Sequence, residues 1–172
     1  MSKKYFSYAD IHRTVAQMAP KISDFKPDVI VAIGGGGFIP ARMLRTFVRV
    51  PIVAVGLELY NDETCSKNSE MKKTQWFDVT TGTATKIPGG RVLIVDEVDD
   101  SRATVIYCID ELRKHDPSAI GVAVLHNKQK EKVSKIPEDV FYVAGTDLED
   151  IWCVYPWDAT DIDEHEAKAS QN

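Results

Sequence analysis

The chain has 172 residues, 44% of them hydrophobic, and a formal net charge of -5. That length fits one domain with its own core, and the excess of acids is the wrong sign for a basic nucleic-acid footprint. No apolar run approaches membrane-spanning length, and the segment from Met1 to Ser7 lacks the apolar centre of a signal peptide. Cys65, Cys108 and Cys153 are odd in number and lack metal-ligand spacing, as expected of reduced thiols in the cytoplasm.

In chain order, Ile11, Val15, Met18 and Ile22 stand at helical spacing, predicting a helix over 7–25 with Ser7 as cap and a kink at Pro20. An unbroken apolar strand over 28–33 is halted by four glycines at 34–37. A helix over 39–48 follows, with Pro40 in its first turn, and then a β-branched run over 51–60. Residues 61–73 are polar and without period, and 74–79 are strand-like. Pro88, Gly89 and Gly90 make a turn before a strand over 92–96. A helix over 105–114, a strand over 119–125, a basic loop over 127–135 and a strand over 140–144 complete the pattern. The polar tail after about residue 164 has the composition of a disordered end. Alternating strands and helices predict an α/β fold with a mainly parallel sheet.

The strand over 92–96 ends in Asp96, Glu97, Asp99 and Asp100, and a hydroxyl-rich turn from Ser101 to Thr104 opens the next helix. An open parallel sheet presents ligands at this kind of edge. The turn's N–H groups, its hydroxyls and the helix N-terminus suit a phosphate. The acids suit sugar hydroxyls, a hard cation or proton transfer. The chemistry is that of a phosphorylated sugar and a metal.

This run resembles the phosphoribosyl-diphosphate (PRPP) signature of the type I phosphoribosyltransferases. Asp96 and Glu97 fill the family's acid pair, Val98 its apolar place, Asp99 its variable place, and Asp100, Ser101 and Thr104 the remainder. Arg102 departs, standing where glycine is usual. The glycines of 34–37, followed by Phe38, Ile39 and Pro40, are similar to the family's pyrophosphate loop. That loop often carries a non-proline cis peptide, which the match places at Gly35–Gly36. Relatives often have Arg or Lys at Gly35. The likeness runs from about Lys26 to Asp163 and is greatest to the fungal hypoxanthine and xanthine enzymes.

The resemblance implies one domain over 1–172, with a parallel twisted sheet flanked by helices and a small base-binding hood. It implies transfer of a phosphoribosyl group from PRPP to a 6-oxopurine (hypoxanthine, xanthine or guanine), with Mg²⁺, in a cytoplasmic homodimer or homotetramer. Asp96 and Glu97 would hold the ribose and its Mg²⁺, and Asp100, Ser101, Arg102, Ala103 and Thr104 the 5′-phosphate. Gly35, Gly36 and Gly37 would hold pyrophosphate, with Lys72 and Lys73 as substitute cations, and a loop over 61–73 would close over the site. Lys128 would donate to the purine O6, Trp152 stack on the base, the Cys153 backbone read its edge, and Asp158 stand near a second Mg²⁺. Asp100 would face the purine N7, and Asp99 would serve only as spacing. A non-catalytic PRPP or nucleotide sensor on the same fold is the alternative.

Overall fold

The computed structural model describes residues 2–59 and 71–171. The chain opens with strand β1 (Lys3–Tyr5) and helix α1 (Tyr8–Phe25), then alternates through β2 (Val29–Gly34), α2 (Phe38–Val48) and β3 (Ile52–Leu59). After β4 (Met71–Gln75) come β5 (Arg91–Asp99), α3 (Ala103–Arg113), β6 (Ala119–Lys128) and β7 (Phe141–Leu148). A short β8 (Trp152–Val154) and helix α4 (Ile162–Ala169) end it.

The main sheet has six strands in the order β4-β3-β2-β5-β6-β7. Every pair is parallel except β3 with β4. A parallel sheet needs helices on both faces, so its central strands are apolar on both sides. On one face α1 and α2 bury Ile11, Val15, Ile22 and Leu44 against Ile30, Leu93, Val95 and Leu125. On the other, α3 buries Val105, Cys108, Ile109 and Leu112 against Val31, Val92, Ile94 and Val122. Each such side chain contributes about 1.5–3 kcal/mol on leaving water.

The start of α1 is fixed reciprocally: the Asp10 N–H donates to Ser7 Oγ at 3.0 Å and the Ser7 N–H to Asp10 Oδ2 at 2.9 Å. Pro20 lies inside this helix without ending it. β1 and β8 pair in parallel as a separate two-stranded sheet, joining segments some 150 residues apart to make a hood.

Several sequence expectations change. The strand expected over 74–79 forms instead at β4, because pairing with the edge of β3 sets its register, while Trp76, Phe77 and Val79 pack on the α3 side. β6 continues through Asn127 and Lys128, beyond the predicted 119–125. The tail carries α4: the Asp161 side chain caps it by accepting from the Glu164 N–H at 2.9 Å, and His165 Nε2 donates to the Phe6 carbonyl at 2.8 Å. No helix among the described residues is long and apolar enough to cross a membrane. The expected closing loop lies largely outside the described residues, as does Cys65.

Candidate active site

From β2 the sheet extends one way through β3 and the other way through β5. This reversal opens a crevice at the carboxyl ends of β2 and β5, the place where open α/β sheets bind ligands. The glycine loop leaves β2 there. The Gly37 N–H donates back to the Ile33 carbonyl at 2.8 Å. The Gly34–Gly35 peptide is cis, one bond earlier than the sequence match placed it. A β-carbon on Gly36 would collide with the Glu97 carboxylate, so the Gly36 backbone and the Glu97 side chain lie against each other at the crevice. A β-carbon on Gly35 would meet nothing within 4 Å, leaving that position open to a larger side chain.

Asp96 is buried, and the Glu97 N–H donates to its Oδ1 at 2.9 Å. Burial first, and then the neighbouring Glu97 carboxylate, push Asp96 well above the ordinary carboxylate range. Asp158 is pushed up as well, by burial and by the charge of Glu97. Among the described residues no three His, Cys, Asp or Glu side chains form a ready metal cluster. The raised Asp96 and Asp158 carboxyls beside the Glu97 charge are nevertheless a setting that a divalent cation relieves.

Beside these acids lies a cleft of about 220 Å³ lined by Asp96 to Arg102 and by Thr104 and Val105. Its floor is the turn between β5 and α3, where Arg102 has φ of 72°. The left-handed conformation costs a non-glycine residue about 1–2 kcal/mol. Asp99 is 1% exposed and does more than the spacing expected of it. Its Oδ2 accepts from Arg102 Nε at 2.9 Å, Arg102 Nη2 at 2.8 Å and the Tyr142 hydroxyl at 2.8 Å. Lys132 Nζ donates to the Asp99 and Asp100 carbonyls at 2.6 and 2.8 Å, and the Val133 N–H to the Ser101 carbonyl at 3.0 Å.

The far wall comes from β6 and β8. Lys128, buried at the end of β6, stands 3.2 Å from Asp100 Oδ2, and Lys130 stands 3.0 Å from Asp100 Oδ1. Partial burial pushes Asp100 up, but the Lys130 and Lys128 ammonium groups outweigh it and hold the carboxyl below its usual range. Lys130 also pairs with Asp150 at 3.2 Å. Trp152 is 57% exposed, and Lys128 Nζ lies 5.9 Å from its ring centroid. An aromatic face this open is available to a flat ligand. Cys153, next to it, is half-buried, and burial raises its thiol.

The model of the phosphoribosyl transferase domain matches residues 5–159. The chain belongs to that family. Hypoxanthine-guanine phosphoribosyltransferase of Schizosaccharomyces pombe is 41% identical, with 97% of this chain and 94% of the relative covered. Xanthine phosphoribosyltransferase 1 of Saccharomyces cerevisiae is 38% identical over 95% and 93%. Among solved structures, a hypothetical protein from Neisseria gonorrhoeae with bound ppGpp is 48% identical, with a TM-score of 0.89 over 99% of this chain and 97% of that one. A purine phosphoribosyltransferase from Pyrococcus horikoshii is 27% identical, with a TM-score of 0.75 over 94% and 97%.

In this phosphoribosyltransferase Gly36, Asp96, Glu97 and Asp158 converge at the crevice, while Asp100, Lys128, Trp152 and Cys153 gather on its far wall. Lys72 and Lys73 lie on β4 rather than in a loop. Lys73 pairs with Glu111 of α3 and stands 4.9 Å from the Trp76 ring centroid. Sequence reasoning missed Lys130, Lys132 and Tyr142. It also missed the joint beneath Trp157, where the rings of Trp157 and Tyr155 stack at 4.7 Å. Tyr155 in turn hydrogen-bonds to His126 Nδ1 at 2.7 Å. The only cue to the lysines was their density over 127–135.

Proposed function

We propose that the chain transfers the phosphoribosyl group of PRPP to a 6-oxopurine in purine salvage, giving a nucleoside 5′-monophosphate and pyrophosphate. The observation that carries this reading is the meeting of the Gly36 backbone with Glu97 at the crevice. It supports the reading by bringing a glycine backbone suited to pyrophosphate beside an acid suited to ribose hydroxyls and the turn that suits a 5′-phosphate. The bond from purine N9 to C1′ forms as the bond from C1′ to pyrophosphate breaks, and positive charge grows on the ribose. Asp96 and Glu97 hold the ribose hydroxyls, and the N–H groups and hydroxyls from Ser101 to Thr104 hold the 5′-phosphate. Asp100, kept ionised by its lysines, faces N7 and takes the purine proton or its hydrogen bond. Lys128 exchanges a carboxylate for the purine O6, Trp152 covers the base, and the Cys153 backbone reads its edge.

Gly35, Gly36 and Gly37 offer N–H groups to the leaving pyrophosphate, with Lys72 as a further cation. Glu97 and Asp96, with Asp158 nearby, are the residues that would hold Mg²⁺, which supplies charge neutralisation of the pyrophosphate. A cytoplasmic homodimer or homotetramer completes the reading. The ppGpp bound by the gonococcal relative extends it: a guanine nucleotide carrying diphosphates presents the same groups as the substrates, so ppGpp should compete with PRPP.

The test is an initial-rate assay with PRPP and Mg²⁺ against hypoxanthine, guanine, xanthine and adenine. Pyrophosphate and a nucleoside monophosphate should appear with at least one 6-oxopurine and not with adenine. Folded protein that turns over none of the 6-oxopurines would overturn the reading in favour of a sensor.

A further inference from the structure

Arg102 stands where glycine is usual, Asp99 fills a place expected only to space the run three residues earlier, and the structure joins them. Asp99 points into the protein, and three groups from separate segments converge on it. Arg102 presents two guanidinium nitrogens to one carboxylate oxygen, and the Tyr142 hydroxyl reaches that same oxygen from β7. Lys132 Nζ approaches the other at 3.5 Å. The guanidinium carbon also lies 5.4 Å from the Tyr142 ring centroid. The arginine side chain is thus held under the turn, bonded to Asp99, while its backbone takes the left-handed conformation that glycine would supply freely. Half-buried cations without a carboxylate between them would repel, and the Arg102 backbone would lose the tether that keeps φ positive.

We propose that Asp99 is a positioning residue: by anchoring Arg102, with Tyr142 and Lys132, it sets the N–H groups of Ser101–Thr104 to receive the 5′-phosphate of PRPP. Arg102 serves the phosphate through its backbone, and its guanidinium charge is used internally. The inference rests on the phosphoribosyl-transfer reading of the site.

The experiment compares the wild type with Asp99→Asn and with the double variant carrying Arg102→Gly as well. Asp99→Asn should raise the PRPP KM about tenfold through loss of a charge-assisted contact, with the purine KM changed less than twofold. The double variant should recover most of that loss, because glycine adopts the turn without an anchor. A guanidinium that bound the phosphate directly would make the double variant worse than the single one, and that result overturns the proposal. So does an unchanged PRPP KM in Asp99→Asn. Thermal melts run alongside separate a turn defect from global unfolding: both variants must melt within a few degrees of each other while differing in PRPP KM. Absence of turnover in the wild type would sink the functional reading alone. The same variants would then be compared by calorimetric binding of GMP, where loss in the single variant and recovery in the double variant carry the same meaning.

Discussion

Burial raises Asp96 because a carboxylate taken out of water loses its hydration, and Glu97 beside it adds like charge. A group whose folded value lies above its unfolded one contributes stability at pH below about 3.8, lost as pH rises through the folded value. At neutral pH the fold therefore bears a cost at Asp96 that Asn, of the same shape and without charge, would not. Asp96→Asn should raise Tm by about 3 °C or more at pH 7.5 and flatten the fall in Tm above pH 3.8, while PRPP turnover drops. Differential scanning calorimetry across pH reads this directly, and an unchanged or lowered Tm at pH 7.5 would mean that the carboxylate is satisfied where it stands. Destabilised residues of this kind collect where ligands bind, because a cation or a sugar hydroxyl supplies what the empty fold leaves out.

Among the elements, β4 is held by its neighbours β3 and α3. It sits at the sheet edge, antiparallel to β3, with four of its five residues exposed. Its Lys73 is tied to Glu111 of α3, which also binds Lys114. Glu111→Gln should speed amide exchange in Met71–Gln75 by about threefold to fivefold, the scale of a partly exposed ion pair. Exchange in β5 should stay as it was, and equal acceleration in both would show a global effect instead. β4 also marks where the sequence is least legible. Trp76, Phe77 and Val79 look like a strand because they are apolar, but their burial comes from the α3 face rather than from a ladder. β5, its turn and α3 are legible because one continuous run carries strand, acids and helix start. The cis bond is misplaced by one because four identical glycines offer no side-chain landmark. Asp99 is opaque for a different reason: its partner Tyr142 lies 43 residues away, and pairings at that separation leave no local pattern.

On the scale of the molecule, the hood and the main sheet meet at an aromatic joint. Phe6, following β1, stacks on His126 of β6 at 4.1 Å between ring centroids. The Tyr155 hydroxyl, hydrogen-bonded to His126, also reaches the Glu97 carbonyl at 3.3 Å. The joint thus runs from the hood to the acidic end of β5. His126 is 2% exposed. Burial, with a smaller push from Lys4, lowers it from 6.5 to about 4. Between those values the unfolded chain binds a proton that the fold refuses, so stability falls as pH drops from 6.5 towards 4. Full development of that shift is worth about 3 kcal/mol. Other carboxylates titrate over the same range in every variant, so the informative quantity is a difference in slope. His126→Gln keeps a polar side chain near Tyr155 but cannot take up the proton. Its Tm should be lower than wild type at pH 7, and the gap should close as pH falls towards 4.5. Parallel curves would show that His126 is not what acid attacks. A closing gap, joined to loss of Trp152 and Trp157 fluorescence signature ahead of far-UV circular dichroism, would show the hood leaving first. The wall that carries Trp152 would then be lost before the sheet and the turn from Ser101 to Thr104.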